Sequence, residues 1–109
     1  MKKFVALYMG DGTQPAQPSP ETIAKGMAAW TKWMSDHASI IADSGGPLGT
    51  TKKASKAGIT DIRNKVAGYV VVKADSHEAA AKLFENHPHF AIFPGDSVEI
   101  MEVLPVPTR

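Results

Sequence analysis

Gly68-Tyr69-Val70-Val71-Val72 and Phe4-Val5-Ala6-Leu7-Tyr8-Met9 are apolar at odd and even positions alike. A strand with one wet face alternates, whereas a strand without alternation has both faces covered. These two segments are therefore expected at the centre of a sheet. Val98-Glu99-Ile100-Met101-Glu102-Val103 does alternate, as a strand with one wetter face would. Gly49 to Ser55 reads as a weaker strand, and its Thr50-Thr51-Lys52-Lys53 suits a sheet edge that must not pair with strangers. Gly58 to Asn64 reads as the far part of a hairpin.

Two helices fill the intervals. Ser19-Pro20-Glu21 combines a capping hydroxyl, Pro at the first helical position and an acid near the positive dipole end. From there Ile23, Met27, Trp30, Met34, His37 and Ile41 recur at spacings of four and three, with Trp33 and Ile40 widening the stripe. The spacing predicts a helix running to about Asp43 and stopped by Ser44-Gly45-Gly46-Pro47. Gly26 inside it implies close packing by something else. Asp75-Ser76-His77-Glu78 opens the second helix in capping-box spacing. Its apolar face is Ala80, Leu83, Phe84 and His87, and Pro88 is expected to stop it. Residues 10–19 read as a surface loop, Pro94-Gly95-Asp96 as a turn, and Pro105 and Pro107 as the end of regular structure.

The order is thus β-α-β-β-α-β, an α+β plan with two helices on one face of a four-stranded antiparallel sheet, ferredoxin-like, with the first and third strands in the middle. All 109 residues are expected to form a single domain. Two helices cover one face only. The other would leave an apolar patch in water, which points to a homodimer pairing those faces.

Composition removes several function classes. Twelve Lys+Arg against eleven Asp+Glu give +1, and the basic residues scatter apart from Lys2-Lys3 and Lys52-Lys53-Lys56. No phosphate-binding stripe exists, so no nucleic-acid partner is expected. Without cysteine there is no disulfide, thiolate zinc site or cysteine nucleophile. The apolar run from Phe4 to Met9 is too short for a signal peptide or a membrane span, so no membrane association and a cytoplasmic location are expected. The glycines of Gly45-Gly46-Pro47-Leu48-Gly49 follow a helix and lack the ending of a phosphate loop, and no serine lies in a nucleophile-elbow pattern.

The chain resembles the YCII-related family, which includes the DGPF proteins. The resemblance is carried by residues 4–10, Ser44-Gly45-Gly46-Pro47-Leu48, Ile59-Thr60-Asp61, Gly68-Tyr69-Val70-Val71, Ala74-Asp75-Ser76-His77-Glu78-Ala79-Ala80, His87-Pro88 and Gly95-Asp96-Ser97-Val98-Glu99-Ile100. It implies a ferredoxin-like fold paired into a dimeric α+β barrel. Some members carry a His-Asp pair with the His on the first helix. Here that position falls near Ala28 or Ala29, and Thr60-Asp61 is followed by Ile62-Arg63-Asn64, so this chain departs from the pattern.

The four histidines are the chemical signal. An imidazole can exchange a proton near neutral pH. His87 and His89, flanking Pro88, are the candidate catalytic pair, with Asp96 to orient one of them. His89 is expected in extended chain after Pro88. A histidine at a helix end or on an apolar face is also an ordinary structural residue. Tyr8, Trp30, Trp33 and His37 are the candidate wall for a flat organic ligand, although aromatics at helical spacing are more often plain core. No metal site is expected, because two histidines lack a third and fourth ligand, and no cofactor is expected. Two readings follow: a small cofactor-free enzyme doing acid/base chemistry on a small organic metabolite, or a non-catalytic small-molecule-binding or protein-interaction module.

Overall fold

The computed structural model describes residues 1–10 and 18–107. The expected loop after Gly10 falls largely on residues 11–17, outside the described residues. A four-stranded antiparallel sheet is built from β1 (Lys2–Met9), β2 (Ile41–Pro47), β5 (Val66–Ala74) and β6 (Ser97–Glu102) in the order β2-β5-β1-β6. The two segments without alternation are indeed central. Even there the burial alternates: Phe4, Ala6, Tyr8, Val70, Val72 and Ala74 are buried, while Val5, Leu7, Tyr69 and Val71 are half-buried on the opposite face. The buried set packs on Trp33, Ala80 and Phe84 from the helical layer to form the core. The result is an α+β fold consistent with the ferredoxin-like plan.

Three expectations need correction. The first helix, α1 (Pro20–Asp36), stops well before Asp43. Ser19 caps its start, accepting from the Thr22 amide at 3.1 Å. At its end His37 takes a non-helical conformation, and Ala38–Ile40 form a short 3-10 turn. Ile41 then opens a strand, pairing with Val72 of β5. Tertiary pairing with an apolar strand outweighs a helical periodicity that runs on by only one turn. Ser44-Gly45-Gly46-Pro47 therefore lies within β2. Gly45 adopts φ 62°, and a Cβ there would collide with the Tyr69 carbonyl oxygen. The pairing is irregular across this stretch, with Asp43 Oδ1 accepting from the Gly45 amide at 2.9 Å.

The expected lysine-rich edge strand is not part of the main sheet. β3 (Thr51–Ser55) and β4 (Gly58–Ile62) pair only with each other, a hairpin inserted between β2 and β5. The second helix is also shorter. α2 (His77–Lys82) is capped by Ser76, not Asp75, whose Oγ accepts from the Ala79 amide at 3.1 Å. After it, Asn86 sits at φ 55°, a left-handed conformation that Asn tolerates, and reverses the chain. Pro88 does not stop a helix here. It begins α3 (Pro88–Ala91), with Pro at a first-turn position and His87 as the cap. His87 therefore lies outside α2, and His89 is helical instead of extended.

No helix among the described residues is long and apolar enough to cross a membrane.

Candidate functional site

A cavity lies between α1, the irregular β2 strand and the adjoining ends of β1 and β5. It encloses about 430 Å³, lined by Tyr8, Met27, Trp30, Thr31, Met34, Ser44, Gly46, Pro47, Ala67, Gly68, Tyr69, His89 and Phe93. Strand alternation turns Tyr8 toward the helices, and helical periodicity brings Met27, Trp30, Thr31 and Met34 above it. The Tyr8 and Trp30 rings meet at 4.8 Å between centroids. Among the described residues no Lys, Arg, Asp or Glu is on this wall. The polar residues along it include Tyr8, Thr31, Ser44 and His89.

His87 stands behind Tyr8, fully buried. The capping role of α3 fixes its Nδ1, which accepts from the His89 amide at 3.0 Å. A nitrogen that accepts carries no proton, so the ring bears its hydrogen on Nε2. That Nε2–H is 3.3 Å from Tyr8 Oη and donates to it. Rings surround the imidazole: Trp30 at 4.7 Å, Trp33 at 4.8 Å and Tyr8 at 5.1 Å. Burial pushes its pKa down to about 4, with the neighbouring His89 and His37 adding to the effect. His87 is thus neutral at physiological pH. Burial likewise pushes the Tyr8 hydroxyl well above its ordinary value, so it remains a protonated donor.

His89 is buried too, but it reaches the cavity wall. Its Nε2–H donates to the Met9 carbonyl at 2.8 Å. In the neutral ring this leaves Nδ1 with the lone pair, and among the described residues Nδ1 has no hydrogen-bond partner. Gly95 makes the position possible: a Cβ there would overlap the His89 ring and its carbonyl.

The remaining predicted residues lie elsewhere. Trp33 is buried beneath the cavity lining, its Nε1–H donating to the Leu83 carbonyl at 3.0 Å. The His37 ring lies tilted against Trp33 at 4.6 Å and donates from Nδ1 to the Trp33 carbonyl at 2.8 Å, closing the end of α1. Asp96 is exposed. Its carboxylate accepts from Ser97 Oγ at 3.0 Å, and it borders a separate cleft with Phe84, Phe90 and Val98. The structure thus brings Tyr8, Trp30 and His89 to one cavity with His87 behind them, and leaves Trp33, His37 and Asp96 off its wall. Among the described residues no three His, Asp or Glu side chains converge as metal ligands would.

Sequence reasoning did not single out Thr31 or Ser44, nor Phe93 as a ligand-contact residue. The signal for Phe93 was Gly26: a Cβ there would overlap the Phe93 ring at 2.5 Å, and Phe93 in turn lies 6.1 Å from Trp30. The Tyr69 side chain alternates onto the outer face, where its hydroxyl donates to Asp43 Oδ2 at 3.4 Å.

No family model matches the chain, and no curated protein matches it. Among solved structures, the chain is similar to the 5-chloro-2-hydroxyhydroquinone dehydrochlorinase TftG of Burkholderia phenoliruptrix, solved with 2,5-dihydroxybenzoquinone. The identity is 16% over 91% of this chain and 90% of that one, with a TM-score of 0.57. It also matches a protein of Arabidopsis thaliana, At3g17210. The crystal structure gives 18% identity over 100% of this chain and 99% of that one, with a TM-score of 0.46. The solution structure gives 17% over 99% and 90%, with a TM-score of 0.44. At such identities, the likeness to TftG shows a shared fold.

Proposed function

We propose that this chain binds a small, flat, largely apolar organic metabolite beneath α1 and moves a proton on it with its own side chains. One observation carries the reading: a cavity of about 430 Å³ with an aromatic wall brings together the Tyr8 phenol and the His89 imidazole. Trp30 and Phe93 supply flat contact, and a site of this size and polarity suits a metabolite-sized ligand. The Met9 carbonyl orients His89, leaving Nδ1 as the base, and Tyr8 steadies an oxygen of the ligand. TftG acts on a small hydroxylated ring, so this fold can house such a substrate, although fold alone assigns no chemistry. The order of its motifs supports placing the chain among the YCII-related proteins.

The assembly we propose is a cytoplasmic homodimer with the two outer sheet faces opposed, as in a dimeric α+β barrel. Its support is the half-buried apolar row Val5, Leu7 and Val71, beside Met101, which is 41% exposed.

A second reading, binding without catalysis, has its own support. Among the described residues no carboxylate bonds to His87 or His89, and His37, His77 and His89 all bond to backbone carbonyls. Proton exchange separates the two. Acetophenone, a small aryl ketone, should exchange its methyl protons for deuterium in D₂O faster with protein than without. His89→Ala should abolish that acceleration, at least about 100-fold for loss of a positioned base. Exchange that is unaccelerated, or equal in His89→Ala, removes the catalytic reading and leaves the binding one.

A further inference from the structure

The polarity of the cavity is set from behind its wall. His87 Nδ1 accepts from the His89 amide at 3.0 Å, so the single proton of the ring is on Nε2. Nε2–H donates to Tyr8 Oη at 3.3 Å. An oxygen that accepts there keeps its own hydrogen for another partner. Among the described residues Tyr8 Oη has no second protein partner, and Tyr8 lines the cavity. The opposite arrangement, with Tyr8 donating to His87, would need the proton on Nδ1, where the amide hydrogen already is.

We infer that the site is built for a neutral planar carbonyl compound, a ketone, aldehyde, quinone or lactone, whose oxygen accepts the hydrogen bond from Tyr8. The inference rests on the cavity reading proposed above and narrows its ligand. A carboxylate is disfavoured because, among the described residues, no Lys or Arg is on the wall to offset its desolvation. A hydrocarbon is disfavoured because it leaves a buried hydroxyl donor unused. His87 is a positioning residue: it touches no ligand but aims the one that does. With His89 as base, the same geometry serves enolisation. The α-carbon C–H bond breaks, its proton bonds to His89 Nδ1, the electron pair becomes the C=C of the enolate, and the carbonyl π pair moves onto the oxygen held by Tyr8. Return of the proton closes the cycle without oxidant or reductant.

Two measurements test this separately. Long-range ¹H–¹⁵N spectra of the unliganded protein at pH 7 should show His87 as the neutral Nε2–H tautomer. An Nδ1–H tautomer, or an imidazolium, overturns the relay whatever binds. The groups bearing on that ring are Tyr8 from β1, His37 after α1 and His89 from α3. For the ligand class, acetophenone, ethylbenzene and benzoate serve as matched probes. Acetophenone should bind at least about tenfold more tightly than either, the range of one directed hydrogen bond. Its carbonyl stretch should shift to lower frequency when bound, and Tyr8→Phe should erase both the preference and the shift. The stretch is read on the unaltered protein, so it stands even where the variant folds poorly. Ethylbenzene or benzoate bound equally well, or an unshifted stretch, overturns the carbonyl assignment. Failure of all three probes to bind counts against the cavity reading itself, with the tautomer decided by its own spectrum.

Discussion

His87 loses all contact with solvent among aromatic rings, and that burial holds its pKa near 4 against an ordinary value of 6.5. The charged form is the one disfavoured, so between pH 6.5 and about 4 the unfolded chain binds a proton that the folded chain refuses. Stability from this residue is complete above about pH 6.5 and falls as pH drops through that window. The loss by pH 4 is about 3 kcal/mol. Thermal unfolding between pH 7.5 and 4 should show a decline that is shallower by roughly one proton in His87→Gln. An identical decline in both proteins would contradict the neutral, buried assignment. Tyr8, Trp30 and His89 were legible as site residues because their chemistry is written in their types. The tautomer of His87 was not, since it depends on an amide two residues away folding back as a helix cap. Asp96 drew attention by its proximity in sequence to the histidines, yet a turn carries its carboxylate out to solvent.

The strands show what a pattern reveals and where it misleads. Two runs of unbroken apolar residues marked β1 and β5 as central, and the register of the sheet agrees. Neighbours on β5 then have opposite fates. Val72 is fully buried under the helices, while Val71 faces outward opposite Val5. Val72→Lys should cost about 3 kcal/mol or more and unfold the chain, because it buries an unpaired ammonium. Val71→Lys should leave the circular dichroism spectrum native but halve the mass in sedimentation, if the outer faces pair as proposed. A native-like Val72→Lys, or a Val71→Lys of unchanged dimeric mass, would contradict this assignment of faces. The end of α1 was not legible. Ile40 and Ile41 continue the helical spacing, and only the availability of β5 as a pairing partner turns them into a strand. The hairpin of β3 and β4 was foreseen as a hairpin but misplaced onto the sheet edge, because polar, lysine-bearing residues look the same on an edge strand and on an arm.

Over the described residues the molecule measures 53 × 38 × 18 Å with a radius of gyration of 15.7 Å. A globular chain of this length has about 13 Å. The excess reflects a thin, one-sided α/β layer and the hairpin, whose Ile59 is 74% exposed. Two such layers placed back to back would cover the outer faces and leave each cavity on its own helical side. The site is thus proposed to be complete within one chain, built from β1, α1, β2, β5, α3 and Phe93. Its central claim is that a ligand seats between Tyr8 and His89, and a crystal structure of the protein soaked with acetophenone tests that most directly. The expected pose has the ring against Trp30 and Phe93, with the carbonyl oxygen within hydrogen-bond distance of Tyr8 Oη and the methyl carbon toward His89 Nδ1. Acetophenone bound with its oxygen turned away from Tyr8, or bound only outside this cavity, would contradict it.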